Sequence, residues 1–156
     1  MLVDDIPDTG LHIELEAPAP AREEIARVAG LRALPRFSAV FDLIREGDSV
    51  QVMGKVSAQV GQNCVVTLEP IESDVDEQVD LVFAPAVAAT AAKGEPPEPL
   101  VGGALDLAAV ATEFLLLGVD PYPRRAGAEF APPKVEEDAA AHPFAALEVL
   151  KKRPGG

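Results

Sequence analysis

Residues 49–83, SVQVMGKVSAQVGQNCVVTLEPIESDVDEQVDLVF, contain two long alternating runs, and the parity of those runs decides the fold. Val50, Val52, Val56, Ala58 and Val60 take even positions, while Ser49, Gln51, Lys55, Ser57 and Gln59 take odd ones. A pleated strand sends these two sets to opposite faces, so the run reads as a half-buried strand. From residue 71 the apolar parity reverses. Ile71, Val75, Val79, Leu81 and Phe83 share one side, and Glu72, Asp74, Asp76, Gln78 and Asp80 share the other. The second strand therefore has one oily face and one strongly anionic face. Gly54 and Gly61 are natural places for a bulge or bend, and several bends would let the sheet curl toward a barrel.

Upstream, Leu11, Ile13 and Leu15 alternate with His12 and Glu14 as a short first strand. Pro18 and Pro20 stop it, and Pro20 suits the first turn of a helix that runs through Ile25 and Val28 to a Gly30 terminator. Glu23 and Glu24 lie in that helix's first turn, where the macrodipole favours them. Arg22, Arg27, Arg32 and Arg36 punctuate the same segment. Phe37, Ala39, Phe41 and Leu43 form the apolar side of another strand, and Glu46, Gly47 and Asp48 turn the chain back into the strand that starts at Ser49. The run 65–68 and the acidic strand are expected to extend one antiparallel sheet, because short turns cannot make parallel crossovers.

Downstream, residues 85–103 are rich in Ala and Pro, show no periodicity and read as a mobile loop. Residues 106–117 then form a helix with Leu107, Ala108, Ala111, Phe114 and Leu115 on one face, Asp106 as N-cap, and Gly118 and Pro121 as stop signals. Leu116 points away from that face. A last short helix begins at Pro143, carries Phe144, Leu147 and Leu150, and ends in Lys151, Lys152 and Arg153. The reading is an α+β fold. Residues 1–123 form one domain with a curled, barrel-like antiparallel sheet of about five or six strands and a closing helix, and residues 124–156 form a polar, Pro-broken tail.

A chain of 156 residues with 48% hydrophobic and 25% charged residues can bury one good core. Its single cysteine excludes an intrachain disulfide, and no secretory leader follows Met1, so a cytoplasmic location is expected. The longest apolar stretch is interrupted by Asp106 and Glu113 and is too short to span a bilayer, so no membrane partner is expected. The formal net charge of −13 is uneven, at −4 over residues 1–55, −10 over 56–123 and +1 over 124–156. Such a middle block repels phosphate backbones and suits basic partners. The same charge also promotes solubility, and a charged row blunts a strand against edge-to-edge aggregation.

Cys64-Val65-Val66-Thr67-Leu68-Glu69-Pro70 resembles the Cys-x-x-Cys-Leu-x-Pro signature of the YceD family, the large ribosomal RNA subunit accumulation proteins. Asp106-Leu107, then Glu113 to Leu117, then Asp120-Pro121-Tyr122-Pro123 resemble that family's downstream helix and exit. The closing His142-Pro143-Phe144-Ala145-Ala146-Leu147 resembles the ending of its proteobacterial branch. The resemblance covers about residues 2–150, and it implies a role in ribosome biogenesis through accumulation of the large-subunit RNA.

Many relatives carry two cysteines three apart, a spacing that can present two thiolates to zinc, whereas this chain has Cys64 and Thr67. No metal and no cofactor is expected, with Cys64 read as a small buried hydrophobe on the face of Val66 and Leu68. A Cys64 nucleophile would need His12 or His142 as its base, and neither lies in an activation motif, so no enzyme and no small-molecule substrate is expected. Neighbouring carboxylates on one strand face stand about 7 Å apart, too far to share a small ion tightly. Val101-Gly102-Gly103 lacks the further glycines and lysine of a phosphate loop. Two binding surfaces remain. The first is the anionic row Glu72, Asp74, Asp76 and Asp80, facing a basic ribosomal protein or assembly factor. The alternative is ribosomal RNA held by Tyr122, Arg124, Arg125, Lys151, Lys152 and Arg153, the last three of which also suit the final helix's dipole.

Overall fold

The computed structural model describes residues 1–85 and 97–132. Alternation in the sequence becomes four long or medium strands: β1 (Leu11–Glu16), β2 (Ala33–Glu46), β3 (Ser49–Asn63) and β4 (Pro70–Ala84). A two-residue β5 (Glu98–Pro99) lies beside the end of β4. Helix α1 (Ala19–Ala29) joins β1 to β2, and α2 (Leu107–Gly118) follows β5. The sheet runs β1-β2-β3-β4-β5; the first four strands are antiparallel neighbours, and β5 is parallel to β4.

The expected hairpin forms across Gly47 and Asp48, with Gly47 at φ +63° supplying the left-handed turn. Val50, Val52, Val56, Ala58 and Val60 point inward and are buried with Phe41, Leu43, Val75 and Val79. Both helices cover this inner face. Gly30 terminates α1 in the left-handed conformation, with its N–H on the Ala26 carbonyl. Asp106 caps α2 by accepting from the Ala108 and Ala109 amides at 3.1 and 3.0 Å. Leu107, Val110, Ala111 and Leu115 of α2 enter the core, while Leu116 is exposed as expected. The N-terminal segment closes the layer's far edge: the Leu105 amide donates to the Met1 carbonyl at 2.8 Å and the Val3 amide to the Gly103 carbonyl at 3.0 Å.

The sheet corrects three expectations. It is neither closed nor strongly curled: β1 and β5 are separate edges, so the molecule is an open sheet with helices on one face rather than a barrel. Pairing between β3 and β4 runs without a break from Val50–Phe83 to Asn63–Pro70, and the only register shift between β2 and β3 lies at Ala33 to Arg36, opposite Gly61. One bulge at a strand end cannot turn the several corners that closure requires. The sheet is also mixed rather than purely antiparallel, because β5 enters parallel to β4 after the intervening segment. Residues 65–68 are not a strand. They form the turn between β3 and β4, with the Leu68 amide on the Cys64 carbonyl and Leu68 itself at φ +61°, so the even-numbered face ends at Cys64 and Leu68 is exposed.

Gly54 has a role other than the expected bend. It pairs regularly with Phe41 on one side and Val79 on the other, and its missing side chain lets the Phe41 ring lie against the strand. Most of the predicted loop at 85–103 and all of the predicted C-terminal helix, including Lys151, Lys152 and Arg153, lie outside the described residues.

Candidate functional site

The face of the sheet opposite the helices is open to solvent. On β4 it presents Glu72, Asp74, Asp76 and Asp80, all exposed, as the alternation requires. Register places them opposite Gly61, Gln59, Ser57 and Met53 of β3. Each carboxylate has a polar neighbour. Ser57 Oγ donates to Asp76 at 2.6 Å and Lys55 Nζ stands 2.9 Å from the same oxygen. Gln51 donates to Asp80 at 3.2 Å, Gln59 to Glu72 at 3.5 Å, and the Arg36 guanidinium lies 3.6 Å from Asp74. The Ser57 hydroxyl, then Lys55, hold the Asp76 carboxyl below its ordinary range. These exposed pairs add little stability, typically under about 1 kcal/mol, but they hold a charged row in fixed positions on a rigid sheet.

The row is wider than the β4 sequence alone indicates. Strand pairing sets His12, Glu14 and Glu16 of β1 beside Asp42, Val40 and Ser38 of β2, and these strands continue the same outer face. Glu14, Glu16 and Asp42 therefore join the β4 acids, against Arg36 and Lys55 as the two lysine or arginine side chains on this part of the face. Alternation in β1 already placed its acids on one side, but the register that brings them beside β4's sheet could not be read locally. The face also carries exposed apolar residues: Ile44 and Val82 flank Gln51 in one row across β2, β3 and β4, and Val40 sits opposite Lys55. The carboxylates on this face are thus interleaved with solvent-facing aliphatic side chains.

His12 lies within this face. Its Nδ1 is 2.7 Å from Asp42 and its Nε2 3.5 Å from Glu14. Hydrogen bonding to Asp42, then to Glu14, raises the imidazole above its ordinary 6.5. The folded chain thus holds this proton more tightly than the unfolded chain. The resulting stabilisation is complete below pH 6.5 and is lost as pH rises through the raised value. A ring-proton NMR titration is expected to give a His12 midpoint above 6.5 that falls back toward 6.5 in Asp42→Asn; equal midpoints in the two proteins would contradict the geometry.

At one end of the sheet, the two sequence segments that carry the family resemblance meet. The Val65 amide donates to the Pro123 carbonyl at 2.9 Å, Gln62 Nε2 donates to the Asp120 carbonyl at 2.9 Å, and Arg125 Nη1 reaches Glu69 at 2.6 Å. The Cys64 amide closes the turn onto the Glu69 carbonyl at 2.8 Å. Buried Cys64 Sγ accepts from the Arg125 and Thr67 amides at 3.3 and 3.5 Å. The Arg125 amide first, then the Thr67 hydroxyl and amide, pull the thiol down to about 6 against the opposing effect of burial. Arg125 likewise lowers the Glu69 carboxyl. Cys64, Thr67, Leu68, Glu69 and Pro70 thus build a corner that staples the exit of α2 to the β3–β4 turn. Thr67 supplies a hydroxyl where a second thiol would be needed for zinc, and no group of three or more His, Cys, Asp or Glu among the described residues could hold a metal ion.

Tyr122 and Arg124 are exposed beside this corner, whereas the Arg125 guanidinium is engaged by Glu69. Among the described residues, no helix is long and apolar enough to cross a membrane.

Comparison with curated proteins and with solved structures gives no match. The family model described as "Large ribosomal RNA subunit accumulation protein YceD" matches residues 52–151, from near the start of β3 through the 64–70 corner, β4 and α2 and on past the described residues. By that match, which covers more than half of its length, the chain belongs to the YceD family of large ribosomal RNA subunit accumulation proteins.

Proposed function

We propose that this chain is a non-enzymatic, cytoplasmic factor in large ribosomal subunit biogenesis that binds a basic ribosomal protein or assembly factor through its uncovered sheet face. The observation that carries this reading is the fixed carboxylate row of β4, extended by Glu14, Glu16 and Asp42 and interleaved with exposed Val40, Ile44 and Val82. Proteins of the ribosome's large subunit must reach an RNA that they bind through lysine and arginine. An anionic surface can occupy those side chains until the RNA displaces it, since field complementarity governs encounter and partner choice. The helices take no part in contact on this reading; they stiffen the sheet from behind.

The test is capture of purified basic large-subunit proteins by the full chain and by Asp74→Lys/Asp76→Lys/Asp80→Lys. Reversal of three charges is expected to weaken binding by about 100-fold or more, equivalent to about 2.7 kcal/mol, with an unchanged circular dichroism spectrum. Wild-type binding should also weaken as salt is raised past about 0.15 M, where the screening length falls to about 8 Å. Equal capture by wild type and variant would reject the face as the binding surface.

A further inference from the structure

Most of the arginines also gather in one region, which they share with Glu69, Glu72 and Asp74. Among the described residues there are eight lysines and arginines, and six of them, Arg22, Arg27, Arg32, Arg36, Arg124 and Arg125, sit at the end of the sheet where β2 begins and β3 ends. The Arg32 amide donates to the Gly61 carbonyl at 2.8 Å, and the Arg125 amide reaches Cys64 just beyond β3. Between α1 and the entry to β2 lies a groove of about 430 Å³ lined by Arg22, Glu23, Arg27 and Arg32 over an apolar floor of Leu31, Leu34 and Pro35.

The state of these guanidinium groups matters more than their number. Arg27 is spent on Glu24, with contacts of 2.9 and 2.5 Å. Arg22 is oriented by a neutral partner, donating to the Ala17 carbonyl at 2.6 Å, so its charge stays uncompensated while one rotamer is held. Arg32 has no carboxylate partner among the described residues. With Glu23 and Glu24 counted against the three arginines, the groove still carries a positive balance in a chain whose net charge is −13. Two available guanidinium forks beside an apolar floor match a phosphodiester with a base lying on the floor.

We infer that this groove between α1 and the start of β2 binds the phosphodiester backbone of RNA through Arg22 and Arg32. The choice of RNA over another polyanion rests on the biogenesis reading above; the groove itself does not. Bound there, RNA would occupy the groove beside α1 while the acidic outer face remained available to a basic protein, so one molecule could hold both components of an assembling particle.

Fluorescence anisotropy of a labelled single-stranded 20-nucleotide RNA with the full chain tests this over a salt series from 50 mM. Wild type is expected to bind with a strong salt dependence. Arg22→Gln/Arg32→Gln should weaken binding at least 10-fold and reduce the slope of log affinity against log salt by about 1.4, since each single-strand phosphate contact contributes about 0.7. Because Arg22 also holds the Ala17 carbonyl, Arg32→Gln alone provides the check free of folding effects, with an expected loss of about 3- to 10-fold and partial recovery in Arg32→Lys. No RNA binding at 50 mM salt, affinity unchanged in these variants, or displacement of the RNA by an equal residue concentration of polyglutamate would overturn the assignment, the last by making the groove an acidic-peptide site. Capture of basic proteins by the Asp74/Asp76/Asp80 face is a separate readout, so either result can fail without the other.

Discussion

Alanine at position 54 is expected to lower the unfolding free energy by about 3 kcal/mol, near the upper end of what overpacking a core costs. A Cβ at Gly54 would fall inside the van der Waals envelope of the Val40 carbonyl oxygen and lie 2.8 Å from the Phe41 ring and 3.1 Å from the Phe41 Cα. Two of those three neighbours are backbone, in the middle of the β2–β3 pairing, and cannot swing aside. Repacking the ring relieves only part of the clash, so a Gly54→Ala/Phe41→Leu double variant should remain well below Phe41→Leu alone. Urea unfolding followed by circular dichroism measures both differences, and a Gly54→Ala loss under about 0.5 kcal/mol would show that the strands are not held as closely as described. Gly118 offers a milder contrast. Its hypothetical Cβ meets Val75 Cγ1 at 2.5 Å and the Glu77 side chain at 2.7 and 2.8 Å, and the glutamate at least can move away.

Leu115→Ala is expected to cost about 2–5 kcal/mol, whereas Leu116→Ala, one position along the same helix, should change stability by no more than about 0.5 kcal/mol. Leu115 is fully buried between α2 and the sheet, and Leu116 is 47% exposed. The large loss follows from truncating a side chain whose space the rigid β3–β4 pair cannot collapse to fill. Thermal unfolding of both variants decides the matter: similar losses would mean that α2 does not present the face described here. The comparison also separates support from contact. Leu115 lies on the helical layer, so any change in partner capture by Leu115→Ala should track the loss of folded protein and disappear when capture is normalised to it.

Much of this was legible in residue order. Parity alone placed the valines of β3 inside and the carboxylates of β4 outside, because strand side chains alternate faces whatever the strand pairs with. Asp106, Gly30 and Gly47 marked a cap, a stop and a turn for equally local reasons, and all three serve as expected. The apolar composition of 65–68 suits a strand, whereas the chain must reverse there within a few residues to keep Asn63 opposite Pro70. A glycine interrupting a strand suggests a bend, and several bends suggest closure into a barrel. Gly54 instead answers a large ring on the neighbouring strand, a demand that its own neighbours in sequence do not reveal.

By itself, the sequence determined which faces of β1 to β4 and α2 turn to water, the ends marked by Gly30, Gly47 and Asp106, and that the middle of the chain is anionic, since these follow from steric periods of two and 3.6 residues, from local cap and turn chemistry and from composition. Only the tertiary structure decided which strands lie side by side. That pairing joined Glu14, Glu16 and Asp42 to the β4 row, brought residues 64–69 against 120–125, left the sheet open, and set arginines 22 and 32 around one groove beside α1. Each of these depends on contacts between residues tens of positions apart. Their geometry is set by register, by a single bulge and by how two helices share one apolar face, and none of those is encoded in a local window.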